Sequence, residues 1–362
     1  MKIICLIDSL GSGGAQRQIT ELAKGFKISG ADVEVVIYHN NLFYAEELIS
    51  NGVKIIPLIE KSYFKRIVRI AKYIRKSKPD VVLSFLQTPS FIATISSLPF
   101  RNWKLIVGER NADPAILKSY KEKFYRLFHI FADYVVGNSQ TNINLVTRVN
   151  PFIKKEKLKV IYNITNINYK NYMIDNNFLI RDKLKIVIAG RYEYQKNYLT
   201  LIDAINSLPD IYKNQLEISC YGSIQVNNSY YNACVNKINE YNLNEIIILN
   251  NSTKQILKEY AKSDFVGLFS HFEGFPNAIC EAMSLKKPVI VTKVSDIPIL
   301  LKDNVNGYLC ESDSIISIQN AIIKGINSSR EERDLMGVNN YNLCVSKFDR
   351  EIITKSYMYL FD

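Results

Sequence analysis

The stretch His271-Phe272-Glu273-Gly274-Phe275-Pro276-Asn277-Ala278-Ile279-Cys280-Glu281-Ala282-Met283-Ser284-Leu285-Lys286-Lys287-Pro288 decides the fold. The apolar run Phe265-Val266-Gly267-Leu268-Phe269 ahead of it predicts a strand, and Gly274 and Pro276 turn the chain into a loop. Ala278, Ile279, Ala282 and Met283 then recur at helical spacing, and Lys286-Lys287-Pro288 closes the helix. Pro276 suits the first helical turn, where its missing N–H costs nothing. A strand, a short loop and a helix start bring together free N–H groups and the positive end of a helix dipole, which favour a phosphate. Glu273 falls on the loop and Glu281 about two turns into the helix. Spacing alone also admits a plain strand–helix joint with two solvated acids.

The residues themselves say more than their spacing. Glu273-Gly274-Phe275-Pro276-Asn277, with Glu281 eight positions after Glu273, resembles the E-x7-E signature of the retaining glycosyltransferases of family 4. These are two-domain GT-B enzymes that use nucleotide-sugars. The resemblance implies that Glu273 contacts hydroxyls of the donor sugar. It also implies that the loop Gly274-Phe275-Pro276-Asn277 lies against the sugar and diphosphate, and that Glu281 binds the ribose.

A chain of 362 residues can fill two domains with substantial cores. Its 47% hydrophobic and 22% charged residues describe an ordinary soluble protein. The six cysteines are scattered and form no C-x-x-C, so neither a disulfide framework nor a zinc site is suggested and a reducing cytoplasm fits. No apolar run reaches the length of a membrane span. Ile3 to Ile7, ending at Asp8, is too short for a signal-peptide core and predicts a first buried strand.

The net charge of +11 is unevenly placed. Residues 1–166 hold 25 Lys or Arg against 13 Asp or Glu, whereas residues 167–362 hold 21 against 22. A positive field confined to the N-terminal half suggests an anionic partner: nucleic acid, a membrane surface or a phosphorylated acceptor. The aromatic residues form no RRM or similar signature, which argues against nucleic acid.

The first strand leads into Gly11-Ser12-Gly13-Gly14-Ala15-Gln16-Arg17-Gln18 and a helix with Ile19, Leu22, Ala23 and Phe26 on one face. This is the opening unit of a Rossmann-like domain. Gln16 stands where the third glycine of G-x-G-x-x-G belongs, so the dinucleotide fingerprint is not met. The loop resembles the G-G-A-E/Q-R stretch of family 4 enzymes, which implies that Gly13 and Gly14 let the backbone approach the donor phosphates and sugar. A Cβ there would block such an approach.

Further strands are predicted at 33–37, 53–56, 79–85, 105–107 and 134–136, with 160–163 as the last of the first domain. Between residues 61 and 78 stand eight basic residues and no acidic one. Phe64, Ile67, Val68, Ala71 and Ile74 follow helical spacing there, and Lys65, Arg69, Lys72 and Lys76 form the opposite stripe. Such a helix can pack its apolar face on a sheet and lend its basic face to attraction by anionic lipid. Residues 118–131 predict a second basic and aromatic helix with Phe124, Leu127, Phe128 and Phe131 on one side and a structural His129. Many family 4 members carry a His near the donor sugar in the region of residues 108–114. Here the loop reads Glu109-Arg110-Asn111, so that His is not carried over. Glu109 and Arg110 are acceptor-side candidates, and a merely solvated loop is the alternative.

Residues 131–139 and 262–270 share a helix end, an Asp, an apolar strand and a Ser six positions after the Asp. This weak echo suggests two halves of similar architecture. The polar stretch 163–182 reads as their connection. The second half opens with Leu184 to Gly190 and then Arg191-Tyr192-Glu193-Tyr194-Gln195-Lys196-Asn197, which resembles the family's G-R-x4-K pattern. Two cations on one loop can hold a diphosphate, the Arg by planar bidentate bonds and the Lys as a point charge. Strands are expected at 216–223, 246–250, 288–292 and 306–310. The end of the chain looks helical, and the resemblance implies that it crosses back to the first domain.

The expected fold is therefore α/β: GT-B, two Rossmann-like domains facing a central cleft. Residues 1–165 form the acceptor-side domain, 166–345 the nucleotide-sugar domain, and 346–362 a helix returning to the first. The resemblance implies a hexosyltransferase that retains anomeric configuration, with a UDP-sugar favoured as donor and a saccharide or lipid-linked saccharide as acceptor, in the assembly of O-antigen or capsule. Arg191, Lys196 and Glu273 are its catalytic candidates. No cofactor is implied beyond the sugar-nucleotide substrate, and no metal, since no D-x-D occurs. An anionic membrane surface is an expected partner, which places the enzyme on the inner face of the cell membrane. A GT-B sugar-nucleotide epimerase and a non-catalytic membrane-surface protein remain as alternatives.

Overall fold

The apolar runs become parallel strands in the computed structural model, which describes residues 1–165, 169–172, 183–225 and 227–362. The described residues form two units, one of Met1–Ile164 with Lys347–Asp362 and one of Thr165–Ser346. The stretch 163–182, read above as the connection, lies mostly outside the described residues.

In the first unit the strands are β1 (Lys2–Leu6), β2 (Asp32–Ile37), β3 (Lys54–Pro57), β4 (Val81–Phe85), β5 (Lys104–Glu109), β6 (Tyr134–Gly137) and β7 (Leu158–Val160). They form one sheet in the order β3-β2-β1-β4-β5-β6-β7, parallel throughout. β7 ends where the sequence placed its start. Both faces of β1 are buried: Ile3, Cys5 and Ile7 enter one core, Ile4 and Leu6 the other. That two-residue alternation, with helices on each face, is why the strands read as unbroken apolar runs.

The second unit contains β8 (Leu184–Ala189), β9 (Leu216–Gly222), β10 (Ile247–Asn251), β11 (Phe265–Leu268), β12 (Val289–Thr292) and β13 (Gly307–Cys310). Their order is β10-β9-β8-β11-β12-β13, again all parallel. In each sheet the order reverses once, between β1 and β4 and between β8 and β11. Ligands of open parallel sheets bind outside the carboxyl ends of the strands at such a reversal.

The helix Arg350–Met358 lies against the helix Gly14–Ile28 of the first unit. Gly25 makes this possible, because a Cβ there would sit 2.2 Å from Thr354 Oγ1. A glycine inside a helix costs about 1 kcal/mol relative to alanine, and here the close helix–helix approach explains it. Phe26 packs on Phe361 at 5.3 Å between ring centres, and Arg350 Nε donates to Glu21 at 3.0 Å.

Two helical expectations need correction. In the helix Tyr63–Ser77 the buried residues are Ile70 and Ile74, while Phe64 is 73% exposed and Val68 also faces solvent. The predicted helix 118–131 is two pieces, the helix Tyr120–Leu127 and the 3-10 turn Phe128–Phe131. Arg126 and the structural His129 are buried, and the aromatic side is turned outward, with Phe124, Leu127 and Phe131 exposed. The cause is the buried carboxylate of Glu109, which draws both polar side chains inward.

Candidate active site

The loop after β8 and the loop after β11 flank the reversal of the second sheet, and this places Lys196 and Glu273 in contact across 77 residues of sequence. Lys196 Nζ lies 2.6 Å from Glu273 Oε1. The same oxygen accepts from Ser270 Oγ at 2.6 Å, and Gln195 Nε2 donates to Glu273 Oε2 at 3.3 Å and to the Phe272 carbonyl at 2.9 Å. Glu273 is buried, so this carboxylate is held by three partners.

The first loop is fixed by its aromatic residues. Tyr198 donates to the Gly190 carbonyl at 2.9 Å, and Tyr192 to the carbonyls of Cys220 and Asn250. Gly190 lets the Lys196 stem pass, since a Cβ would meet its methylenes at 3.1 Å. Gly222 serves the same loop: a Cβ there would sit 2.3 Å from the Gly190 carbonyl oxygen. Asn197 turns the chain through a left-handed conformation (φ 57°) into the helix Tyr198–Asn206. Arg191 takes another direction. It is 71% exposed and pairs with Glu193 at 2.8 Å.

The helix predicted after Pro276 is Asn277–Ser284, and no side chain caps its N-terminus. Two of the amides expected to be free are engaged: Asn277 N donates to the Phe275 carbonyl and Ile279 N to that of Pro276, both at 3.0 Å. Phe275 and Pro276 are buried, and the Gly274 carbonyl accepts from Ser295 Oγ at 3.0 Å. Glu281 is half-buried on the second turn of the helix.

In the first unit Gly13 and Gly14 are exposed where the loop after β1 enters its helix. The Gln16 side chain folds over Gly13, where a Cβ would meet its Oε1 at 2.2 Å, and Gln16 Nε2 donates to Asp8 at 3.0 Å. The residue that breaks the dinucleotide fingerprint thus occupies the space the missing glycine would leave. Glu109 is no solvated loop residue. It closes β5 and is buried, with Arg126 at 2.9 Å on one oxygen and His129 at 2.8 Å on the other. Burial alone would raise this carboxyl; the Arg126 guanidinium and the His129 bond outweigh it and hold it down at about 2. Arg110 lies over the Phe85 ring at 3.8 Å, donates to Asn163 at 3.0 Å and bonds the Tyr357 hydroxyl. Both residues line a cavity of about 580 Å³ at the carboxyl edge of this sheet.

Sequence reasoning found Lys196 and Glu273 and missed Ser270 and Gln195. Ser270 was visible only as half of the internal echo, and the two serines of that echo differ in role. Ser139 caps the helix Gln140–Val149, whereas Ser270 holds Glu273.

The model of the glycosyl transferases group 1 matches residues 173–343, and that of Glycosyltransferase Family 4 matches residues 12–169. The chain belongs to the family 4 type of glycosyltransferases, with their GT-B fold of two Rossmann-like domains. It is 24% identical to a Campylobacter jejuni N-acetylgalactosamine-N,N'-diacetylbacillosaminyl-diphospho-undecaprenol 4-alpha-N-acetylgalactosaminyltransferase, over 92% of this chain and 91% of that one. It is 28% identical to the Staphylococcus aureus capsular polysaccharide biosynthesis glycosyltransferase CapH, over 74% and 73% of the two chains. Among solved structures, Anabaena HepE in complex with UDP and glucose superposes with a TM-score of 0.84 at 19% identity, covering 99% of this chain and 98% of that one.

Proposed function

We propose that this glycosyltransferase moves a hexose-type sugar from a UDP-sugar to a saccharide or lipid-linked saccharide, with retention of configuration, in bacterial surface polysaccharide assembly. The observation that carries the reading is the Lys196–Glu273 contact at the strand reversal of the second sheet. The UDP and glucose bound by HepE support the donor, and the diphospho-undecaprenol and capsular relatives support the acceptor and the setting.

As the sugar–phosphate bond breaks, negative charge builds on the diphosphate and positive charge on the anomeric carbon. Cations already aimed at that charge lower the barrier. Lys196, held in place by Glu273, is one such cation. Arg191, exposed on the same loop, can swing from Glu193 to the diphosphate. Glu273 orients the sugar hydroxyls, Glu281 the ribose, and Gly13, Gly14 and the loop Gly274–Asn277 offer close backbone approach. These side chains and dipoles carry the charge without a divalent metal. The exposed Lys65, Arg69, Lys72 and Lys76 attract an anionic membrane, which fits peripheral attachment on the inner face of the cell membrane. Among the described residues no helix is long and apolar enough to cross a membrane.

The test is a panel of UDP- and GDP-sugars, read first by thermal stabilisation and then by product. A bound donor raises the melting point by mass action. A UDP-sugar should stabilise the protein, and the transferred sugar should keep its anomeric configuration by NMR. If no sugar-nucleotide stabilises the protein or is consumed, the proposal fails. If one is epimerised without an acceptor, the chain catalyses that reaction instead.

A further inference from the structure

The second unit carries a charged recess on the edge of its sheet opposite the Lys196–Glu273 pair. Leu184 at the start of β8, Asp264 just ahead of β11 and Pro288 just ahead of β12 line a cavity of about 260 Å³. β8 is six residues long, so the recess lies roughly 20 Å from the loops at the carboxyl ends of the strands. Lys183, Lys262, Lys286, Lys287, Arg330 and Arg333 line it, against two acids, Asp264 and Asp334. This half of the chain is close to neutral as a whole, so the local excess is not a share of a general surplus.

Three of the six cations have a structural reason to be there. Lys262 ends the helix Ile256–Lys262, and Lys286 and Lys287 follow the helix Asn277–Ser284, where positive charge complements the dipole. Lys287 Nζ donates to the Ser263 carbonyl at 2.8 Å, and Lys286 Nζ stands over the Tyr169 and Tyr341 rings at 4.3 and 5.2 Å. The dipoles do not explain the other three. Arg330 and Arg333 sit in the first turn of the helix Arg330–Phe348, at the positive end of its dipole, where a cation is unfavourable. The acids of that turn, Glu331 and Glu332, do not line the recess, and Glu332 accepts from the Ser329 amide at 2.7 Å. Arg330 approaches Asp334, and Arg333 approaches Asp264, only to 4.0 Å, beyond hydrogen-bond distance. In the same unit Lys185–Glu217 and Lys237–Asp203 close to 2.8 and 2.7 Å. Asp264 instead accepts from the Lys185 amide at 2.8 Å, and Arg333 donates to the Ser328 carbonyl at 2.8 Å. Lys183 is exposed, and among the described residues no carboxylate pairs with it.

An anion in the recess supplies what these side chains lack. Each guanidinium offers a planar fork that matches phosphate oxygens, and the negative charge offsets two arginines at the wrong end of a helix dipole. The volume suits a diphosphate or a sugar phosphate and is small for a whole nucleotide-sugar. We infer that this recess binds a compact, multiply charged phosphate. Arg330 and Arg333 take its oxygens, and Lys183 adds a third charge. β8 and β11 start at the recess and end at the loops of Lys196 and Glu273, so the anion is held at the far ends of the strands that carry that pair.

Inorganic pyrophosphate and a hexose 1-phosphate are two free sources of this chemistry, and calorimetry at constant ionic strength tells them apart. The full chain is titrated with each in an Arg191→Ala, Lys196→Ala background, which removes the cations proposed for the donor diphosphate. The anion that fits the recess should still bind, at one per chain, and should raise the melting temperature. Adding Lys183→Gln and Arg330→Gln, both exposed side chains whose loss spares the core, should weaken it by about tenfold or more. Arg330→Glu should abolish it, and Arg330→Lys should keep part of the affinity, since the charge stays and the fork is lost. The melting temperatures without ligand should match that of the background, which checks the fold. If neither anion binds in the background, or if Lys183→Gln with Arg330→Gln leaves the affinity untouched, the site is overturned. Because the donor cations are absent and no sugar is transferred, that failure leaves the transferase reading standing, and failed transfer leaves the titration intact.

Discussion

Lys196 Nζ and Glu273 Oε1 stand 2.6 Å apart in the second unit, on the two loops that flank the reversal of its sheet. Glu273 is also bonded by Ser270 and Gln195, so the pair is held in one arrangement before any ligand arrives. A cation fixed in this way loses little freedom when a phosphate draws it, which is what preorganised charge stabilisation requires.

Lys196→Ala should therefore reduce turnover by about 10²- to 10³-fold, the usual cost of one preorganised donor. Glu273→Gln should reduce it comparably, because the amide neither anchors the ammonium nor accepts as strongly from sugar hydroxyls. The double variant should lose less than the product of the two, since residues in direct contact couple. Steady-state kinetics with a donor identified by the sugar-nucleotide panel measures this. Independent, multiplicative losses would separate Lys196 from Glu273 functionally.

Arg191 makes a different prediction. It is mostly exposed and its pair with Glu193 is a surface contact, which contributes about 1 kcal/mol or less to stability. Arg191→Ala should leave the melting temperature unchanged while kcat/KM falls by about tenfold or more, through loss of a diphosphate contact. Wild-type kinetics in this variant would remove Arg191 from the mechanism.

The two sheets were legible because parallel strands covered on both faces become continuous apolar runs, punctuated by Gly, Pro and Asn. That Lys196 and Glu273 belong to one site came only through the resemblance, and their direct contact was not legible, since spacing says nothing about two loops 77 residues apart. What escaped was the orientation of residues 120–131. Helical periodicity marks Phe124, Leu127 and Phe131 as one face but cannot say whether the sheet takes that face or the opposite one. Here Glu109 at the end of β5 is buried, and the cost of an unpaired buried carboxylate draws Arg126 and His129 inward instead. Ile70 was missed for the same kind of reason, as the helix Tyr63–Ser77 is rotated so that Ile70 and Ile74 meet the sheet and Phe64 does not.

Activity should persist in excess chelator, because Lys196, Arg191 and backbone dipoles are proposed to meet the charge on the leaving diphosphate. Among the described residues no three His, Cys, Asp or Glu side chains come together as a metal-ligand set. Loss of turnover in EDTA with recovery on adding Mg²⁺ or Mn²⁺ would refute the proposal.

Lys65, Arg69, Lys72 and Lys76 are all exposed on the helix Tyr63–Ser77. Each contributes about 1 kcal/mol near an anionic leaflet, so replacing all four with Gln should weaken binding to phosphatidylserine vesicles by about 10²-fold or more. The wild-type attachment should need anionic lipid and weaken as salt rises. Co-sedimentation measures both. Wild-type protein that stays in the supernatant with anionic vesicles at low salt would contradict the attachment.

The buried pair of Glu109 and Arg126 predicts the acid limit of stability. Burial raises the Glu109 carboxyl, but Arg126 and the bond from His129 bring it down to about 2, while an unfolded Glu titrates near roughly 4.3. Below about pH 4 the unfolded chain takes up this proton before the folded one does, so stability present at higher pH is lost progressively as pH falls through about 2. The size is on the order of 3 kcal/mol. Glu109→Gln removes this dependence and leaves Arg126 with Glu122 alone. Urea unfolding of the full chain between pH 2 and 7 should show the variant clearly less stable than wild type at neutral pH, with the gap closing towards pH 2. A gap that stays constant across the range would mean that the ionised Glu109 carboxylate does not hold this part of the first unit together.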